Sequence, residues 1–151
     1  MIIVMKTFMA NEKTVDRKWY LVDATNIPLG RLASQVASIL RGKTKTDFTP
    51  NIDNGDFVIV VNCDKIAITG NKLTDKLYRR HSLYPGGLKE ATLKDLMVNR
   101  SDFVVTEAVK GMLPKTRLGR KQLKKLKCYK GAEHEHAAQK PEKIELVGGR
   151  N

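Results

Sequence analysis

Apolar positions along this chain fall into short blocks with two distinct periods. Trp19–Ala24 (WYLVDA) opens the patterned region as a candidate strand. Leu29, Leu32, Ala33, Val36 and Leu40 then recur at the spacing of one buried helix face, which predicts a helix to about Arg41. Asn26 and Pro28 stand at its start. A short polar side chain caps free N–H groups, and proline fits a first turn whose N–H has no partner to lose. Gly42 stands where a helix end favours a left-handed residue. Phe57–Asn62 (FVIVVN) is apolar without alternation, the pattern of a strand covered on both faces. Strand, helix and strand in that order predict a parallel crossover unit.

Downstream, Lys76–Leu83 (KLYRRHSL) predicts a strand that Pro85-Gly86-Gly87 breaks. Thr92 and Asp95 have the spacing of a capping box, ahead of a helix with Leu93, Leu96 and Met97 on its apolar face. Ser101 is placed to cap a further helix, with Val104, Val105, Ala108, Val109 and Met112 as its stripe and Pro114 as its end. A last helix is expected from Thr116 to about Lys125, followed by a strand over Leu126–Tyr129. Residues 1–17 read as an extended arm, residues 18–146 as one domain and residues 147–151 as a tail. The expected fold class is α/β, a three-layer α/β/α domain with a mainly parallel sheet.

Charge narrows the function. Lys and Arg number 28 against 16 Asp and Glu, a net charge of +12 that calls for a polyanionic partner. No apolar run approaches the roughly 18 residues of a membrane helix, so no membrane partner is expected. The apolar start Met1–Met5 is too short for a signal peptide, so a cytoplasmic location is expected. Cys63 and Cys128 have no metal or redox spacing and read as two reduced, packed thiols.

The most informative stretch is Lys110–Lys130, with nine basic residues and no acidic one: Lys110, Lys115, Arg117, Arg120, Lys121, Lys124, Lys125, Lys127 and Lys130. At about 100° per residue, Arg117, Arg120, Lys121, Lys124 and Lys125 share one side of a helix and Leu118, Leu123 and Leu126 the other. Like charges at i,i+4 repel, so such a stripe needs neutralising. A solvated face and a membrane surface are the bland readings. Phosphates are the natural partner, because binding them releases counterions, and Arg adds bidentate contacts and stacking on unpaired bases. A second cluster, Lys72, Lys76, Arg79, Arg80 and His81, is interleaved with Tyr78 and Tyr84. Aromatics beside cations stack bases, and equally often pack a core.

Catalytic patterns are missing. Gly42-Lys43-Thr44 mimics the end of a phosphate-binding loop, but position 37 is Ala rather than Gly and the tripeptide closes a helix instead of opening one. Ala24–Gly30 (ATNIPLG) has no glycine fingerprint for a dinucleotide. His134 and His136 with Cys128 lack a second compact ligand pair for zinc. Asp53, Asp56 and Asp64 sit in loops with no nucleophile or base beside them. No catalytic residue, metal or cofactor is expected.

Read together, WYLVDA, LGRLAS (Leu29–Ser34), FVIVVN, TGNK (Thr69–Lys72), RHSLYPGG (Arg80–Gly87), VKGMLPKTRLG (Val109–Gly119) and GAEHEHAAQ (Gly131–Gln139) resemble the bacterial ribosomal protein family L-thirteen, over residues 5–146. The resemblance implies a structural, non-enzymatic constituent of the large ribosomal subunit that binds ribosomal RNA early in assembly. It implies neighbouring large-subunit proteins as partners. It places the RNA-facing segments at Lys110–Lys125, Arg79–His81 and His134–Gln139. Where the family often has His-Pro-His, this chain has His134-Glu135-His136. Two other functions compete: control of translation through messenger RNA bound on the same surface, and a nucleotide-using enzyme. The missing glycine-rich loop counts against the enzyme.

Overall fold

The computed structural model describes residues 9–11 and 14–146. In chain order the elements are β1 (Trp19–Asp23), α1 (Leu29–Arg41), β2 (Phe57–Val61), α2 (Lys72–Asp75), β3 (Leu77–His81), β4 (Leu88–Thr92), α3 (Leu93–Met112), α4 (Arg117–Leu123), β5 (Leu126–Cys128) and β6 (Glu142–Lys143). The main sheet runs β5-β2-β1-β6 with every pairing parallel, and β3 and β4 form a separate antiparallel hairpin. The α/β class and the mainly parallel sheet are as expected.

β2 lies between β1 and β5, and its Val58, Ile59 and Val60 have no exposed surface. Its unbroken apolar run follows from that position. Even-numbered sheet residues Val22, Val58 and Val60 share a core with Leu32, Val36 and Leu40 of α1 and Val105 and Val109 of α3. Both long helices therefore pack on one face. On the other face Trp19 and Phe57 stack at 4.3 Å and 6°, and His136 lies 5.1 Å from Trp19 and 6.1 Å from Tyr129. The chain after β5 folds back over that face. Truncating a fully buried residue such as Leu40 to Ala would cost about 2–5 kcal/mol.

Several local expectations change. Asn26 does not cap α1. It adopts a left-handed conformation (φ 58°), which Asn tolerates better than most residues, and its N–H donates to Lys65 O at 3.0 Å. Pro28 takes the cap position without a side-chain bond and bridges to Ala67 instead. Gly42 is left-handed as expected (φ 78°). Thr92 caps α3 as its spacing predicts, accepting from Asp95 N at 3.2 Å. Ser101 does not cap. The two expected helices join as α3 with non-helical dihedrals at Arg100 (φ −144°, ψ 60°), and Ser101 is buried with its hydroxyl unpartnered among the described residues. Met112, expected in the stripe, is 44% exposed.

Two strands were not anticipated. β4 is mostly exposed, and β6 consists of Glu and Lys held by backbone pairing to β1. The arm residues that are described lie against the domain: Ala10 is buried and Arg17 donates to Asp53 O at 3.1 Å. The expected tail, residues 147–151, lies outside the described residues.

Candidate nucleic-acid interface

The basic helix α4 is short and firmly seated. Thr116 caps it by accepting from Gly119 N at 3.2 Å. Gly119 has no room for a side chain, because a β-carbon there would run into the Pro114 carbonyl oxygen. Gly119 and Gln122 are buried, and Leu118 and Leu123 are half-buried. Arg117, Arg120 and Lys121 face outward, and Lys124 directly after the helix is exposed as well. The expected one-sided stripe is present for these four residues.

Lys125 departs from that face. It is 5% exposed, and its Nζ contacts Asp53 Oδ1 at 2.5 Å, Gly55 O at 2.7 Å and Leu40 O at 3.3 Å. Burial pulls its pKa below the usual lysine value, and the hydrogen bond it donates to Asp53 only partly opposes this. Two physical reasons explain the difference. On a helical projection Lys125 falls only about 20° from Leu118, at the margin of the apolar side. The helix also ends at Leu123, so the chain turns inward toward β5 at this residue. Lys125 is a structural cation, not a surface one.

α3 brings Lys110 beside α4. Lys110 pairs with Glu107 at 2.6 Å and keeps more than half of its side chain exposed. With Lys115 and Arg120 it lines a groove of about 210 Å³, floored by Leu113 and Leu123. Lys110 also borders a second cavity of about 530 Å³, between α3 and the hairpin, where Arg79, Arg80, Lys89 and Arg100 meet Tyr78 and Phe103. Helix and hairpin cations thus adjoin through Lys110. Among the described residues no salt bridge joins Lys115, Arg117, Arg120, Lys124 or Lys127 to a carboxylate.

In the hairpin, Arg79 pairs with Glu90 at 2.6 Å, whereas Arg80 stands directly opposite Lys89. Like charges in register across a strand pair are destabilising unless an anion lies between or above them. His81 accepts from Leu83 N at 2.9 Å through Nδ1, so it shapes the turn. Tyr84 is 76% exposed, while Tyr78 tilts against Phe103 at 6.3 Å with Lys76 over its ring. One tyrosine thus reaches solvent and the other packs inward. Lys72 of α2 is exposed beside a different cavity, shared with Lys76 and Asp75.

His134 and His136 are not brought to this surface. His136 is wedged among Trp19 and Tyr129 on the sheet face away from the long helices, and its N–H approaches His134 Nδ1 at 3.3 Å. Lys89 and Arg100 escaped sequence reading because β4 carries no apolar signal and Arg100 stood between two expected helices. At the carboxyl ends of β1 and β2, Asp23 accepts from Thr25 and Asn62. Burial opposes its ionisation, but these hydrogen bonds outweigh that and hold its pKa below the usual carboxylate value. Among the described residues no three His, Cys, Asp or Glu side chains converge as a metal site. No helix there is long and apolar enough to cross a membrane.

A family model described as Ribosomal protein L13 matches residues 17–135. The chain is 60% identical over 142 residues to the large ribosomal subunit protein uL13 of Clostridium botulinum (strain Eklund 17B / Type B), which covers 94% of this chain and 99% of that protein. The uL13 proteins of Clostridium perfringens (strain ATCC 13124) and Thermoanaerobacter sp. (strain X514) are 59% and 57% identical over the same shares.

Proposed function

The chain belongs to the ribosomal protein L13 family, and from that premise we propose that it is a structural constituent of the large ribosomal subunit that grips ribosomal RNA through the surface joining α4 to the hairpin. The family is structural and non-enzymatic, and its place is the ribosome in the cytoplasm. One observation carries the RNA-binding surface. Lys115, Arg117, Arg120 and Lys124 are exposed on α4 and its flanks, with Lys115 and Arg120 at the groove, and have no carboxylate partner among the described residues. A protein does not gather uncompensated cations on a packed helix without an electrostatic cost, and phosphates repay it through counterion release. Arg80 facing Lys89 continues the same demand for anions across the hairpin. The hairpin tip adds Leu83, Tyr84 and Leu88, at 90%, 76% and 54% exposure, an apolar end suited to burial in an assembled particle.

The test is binding to a fragment of large-subunit ribosomal RNA as a function of salt. If about six phosphates are neutralised, affinity falls about a thousandfold from low to moderate salt. Replacing Arg117, Arg120, Lys121 and Lys124 together by Gln preserves helix propensity and removes four charges. The salt slope should drop by several units, with little change in melting temperature. A control that replaces Lys43, Lys65, Lys94 and Lys140 by Gln removes the same charge elsewhere. Equal loss in both variants would mean that net charge, not this face, carries the affinity.

A further inference from the structure

Cys63 and Cys128 are far apart in sequence, and the fold brings them together. Cys128 ends β5, in register with Val60 of β2, and Cys63 begins the 3-10 turn directly after β2. Cys63 N donates to Tyr129 O at 3.2 Å, and Tyr129 N donates to Val60 O at 2.8 Å. The Cys63 thiol also points to Val60 O, at 3.8 Å. Backbone and side chain of Cys63 are thereby fastened to the residues that flank Cys128. These contacts set Cys63 beside Cys128, and from α3 the Thr106 hydroxyl lies 3.6 Å from Cys128 Sγ.

We propose that Cys63 and Cys128 are a built thiol pair that closes to an intramolecular disulfide when a peroxide-class oxidant reaches it. The surroundings divide the labour. Cys128 is partly exposed with the Thr106 hydroxyl beside its sulfur, whereas Cys63 has no exposed surface. The neighbouring Cys63 and Thr106 side chains lower the Cys128 pKa against the opposing effects of burial and Asp102. The neighbouring Cys128 thiol, together with burial, pushes the Cys63 pKa well up. Because the thiolate is the nucleophile and the oxidant must reach it, the partly exposed Cys128 attacks first. Its sulfur takes one peroxide oxygen as the O–O bond breaks, giving a sulfenic acid; the departing hydroxide leaves as water with the thiol's proton. The Cys63 sulfur then displaces the hydroxyl from the Cys128 sulfur, and that hydroxide leaves as a second water with the Cys63 proton. Two thiols lose two electrons and one peroxide becomes two waters. In a reducing cytosol the pair stays open until oxidant rises. Closure ties β5, the strand that leaves the cationic helix, to the turn after β2.

The test treats the reduced full-length chain with hydrogen peroxide under native conditions, then blocks free thiols and maps peptides by mass spectrometry. The expected product is a monomer that has lost two hydrogens, with the Cys63 and Cys128 peptides linked. Its melting temperature should rise and return on reduction. Cys63→Ala should accumulate a dimedone-reactive sulfenic acid at Cys128, and Cys128→Ser should leave Cys63 unmodified at the same dose. Three results would overturn the proposal: both thiols still alkylated stoichiometrically in the treated folded wild type, disulfides found only between chains, or Cys63 oxidised as fast in Cys128→Ser as in wild type. The wild-type peptide map decides even where a variant is too unstable to use.

Discussion

Replacing Lys125 by Met separates a structural cation from an RNA-binding one. Methionine keeps the length of the stem and removes the charge. In the native protein the Lys125 side chain is 6% exposed and that of Asp53 12%, so water screens neither partner much. The variant leaves the Asp53 carboxylate buried without its 2.5 Å counter-ion and takes the donor from Gly55 O and Leu40 O. Breaking a buried pair from one side costs about 3–5 kcal/mol, a large share of the roughly 5–15 kcal/mol that holds a domain together. A surface lysine, by contrast, would change stability by less than about 0.5 kcal/mol. Adding Asp53→Asn removes the stranded charge, and the double variant should regain about 1–3 kcal/mol as the coupling between the two sites. Urea denaturation followed by circular dichroism reads these values, and RNA binding of the folded fraction reads the other side. The single variant should keep the wild-type salt slope. If Lys125→Met has wild-type stability and a salt slope reduced by about one unit, the lysine binds phosphate and the buried pair is misassigned.

Gly119→Ala should destabilise the domain by about 1–3 kcal/mol, because the new methyl meets the Pro114 carbonyl and the first turn of α4 must shift. Arg117 and Arg120 ride on that turn, so RNA affinity should fall as well; a melting temperature equal to wild type would show that the turn gives way freely. Asp23→Asn should flatten the acid limb of the stability profile. The folded pKa of Asp23 lies below 3.8, so its contribution is present above that pH and is lost as pH falls through the folded value. Urea midpoints at neutral pH and near pH 3 measure this, and an equal acid loss in variant and wild type would remove Asp23 from the account.

Elements that announce themselves locally were legible in the sequence. The unbroken apolar run of β2, the helical spacing in α1, the Thr92–Asp95 cap and the Thr116 start of α4 each draw on neighbours within a few residues. β4 and β6 were illegible for the opposite reason. β4 stands in a hairpin outside the main sheet and is largely exposed, so nothing selects apolar residues on it. β6 is fixed by backbone bonds to Tyr20 and Leu21, which any side chain permits. The break at Ser101 was read at the right place with the wrong chemistry. Residue type marks a hydroxyl as a possible cap, but not whether it faces a helix end or a core.

The same distinction governs the candidate site. Four of the five cations projected onto one face of α4 are exposed there, since angular spacing is a local property. The fifth, Lys125, has its partner 72 residues away, at Asp53. An ammonium that answers a phosphate and one that answers a buried carboxylate are the same letter in the same run. Asp53 gave no warning either, because its place in a loop suits a turn former equally well. Cys63 and Cys128 repeat the lesson: without a short spacing they read as unrelated thiols, and only parallel pairing of β2 with β5 makes them neighbours. A charged or nucleophilic residue can therefore be assigned from sequence when its partner lies within about a helical turn, or is a ligand that wants a whole face. Where the partner is one distant side chain, the assignment waits on topology.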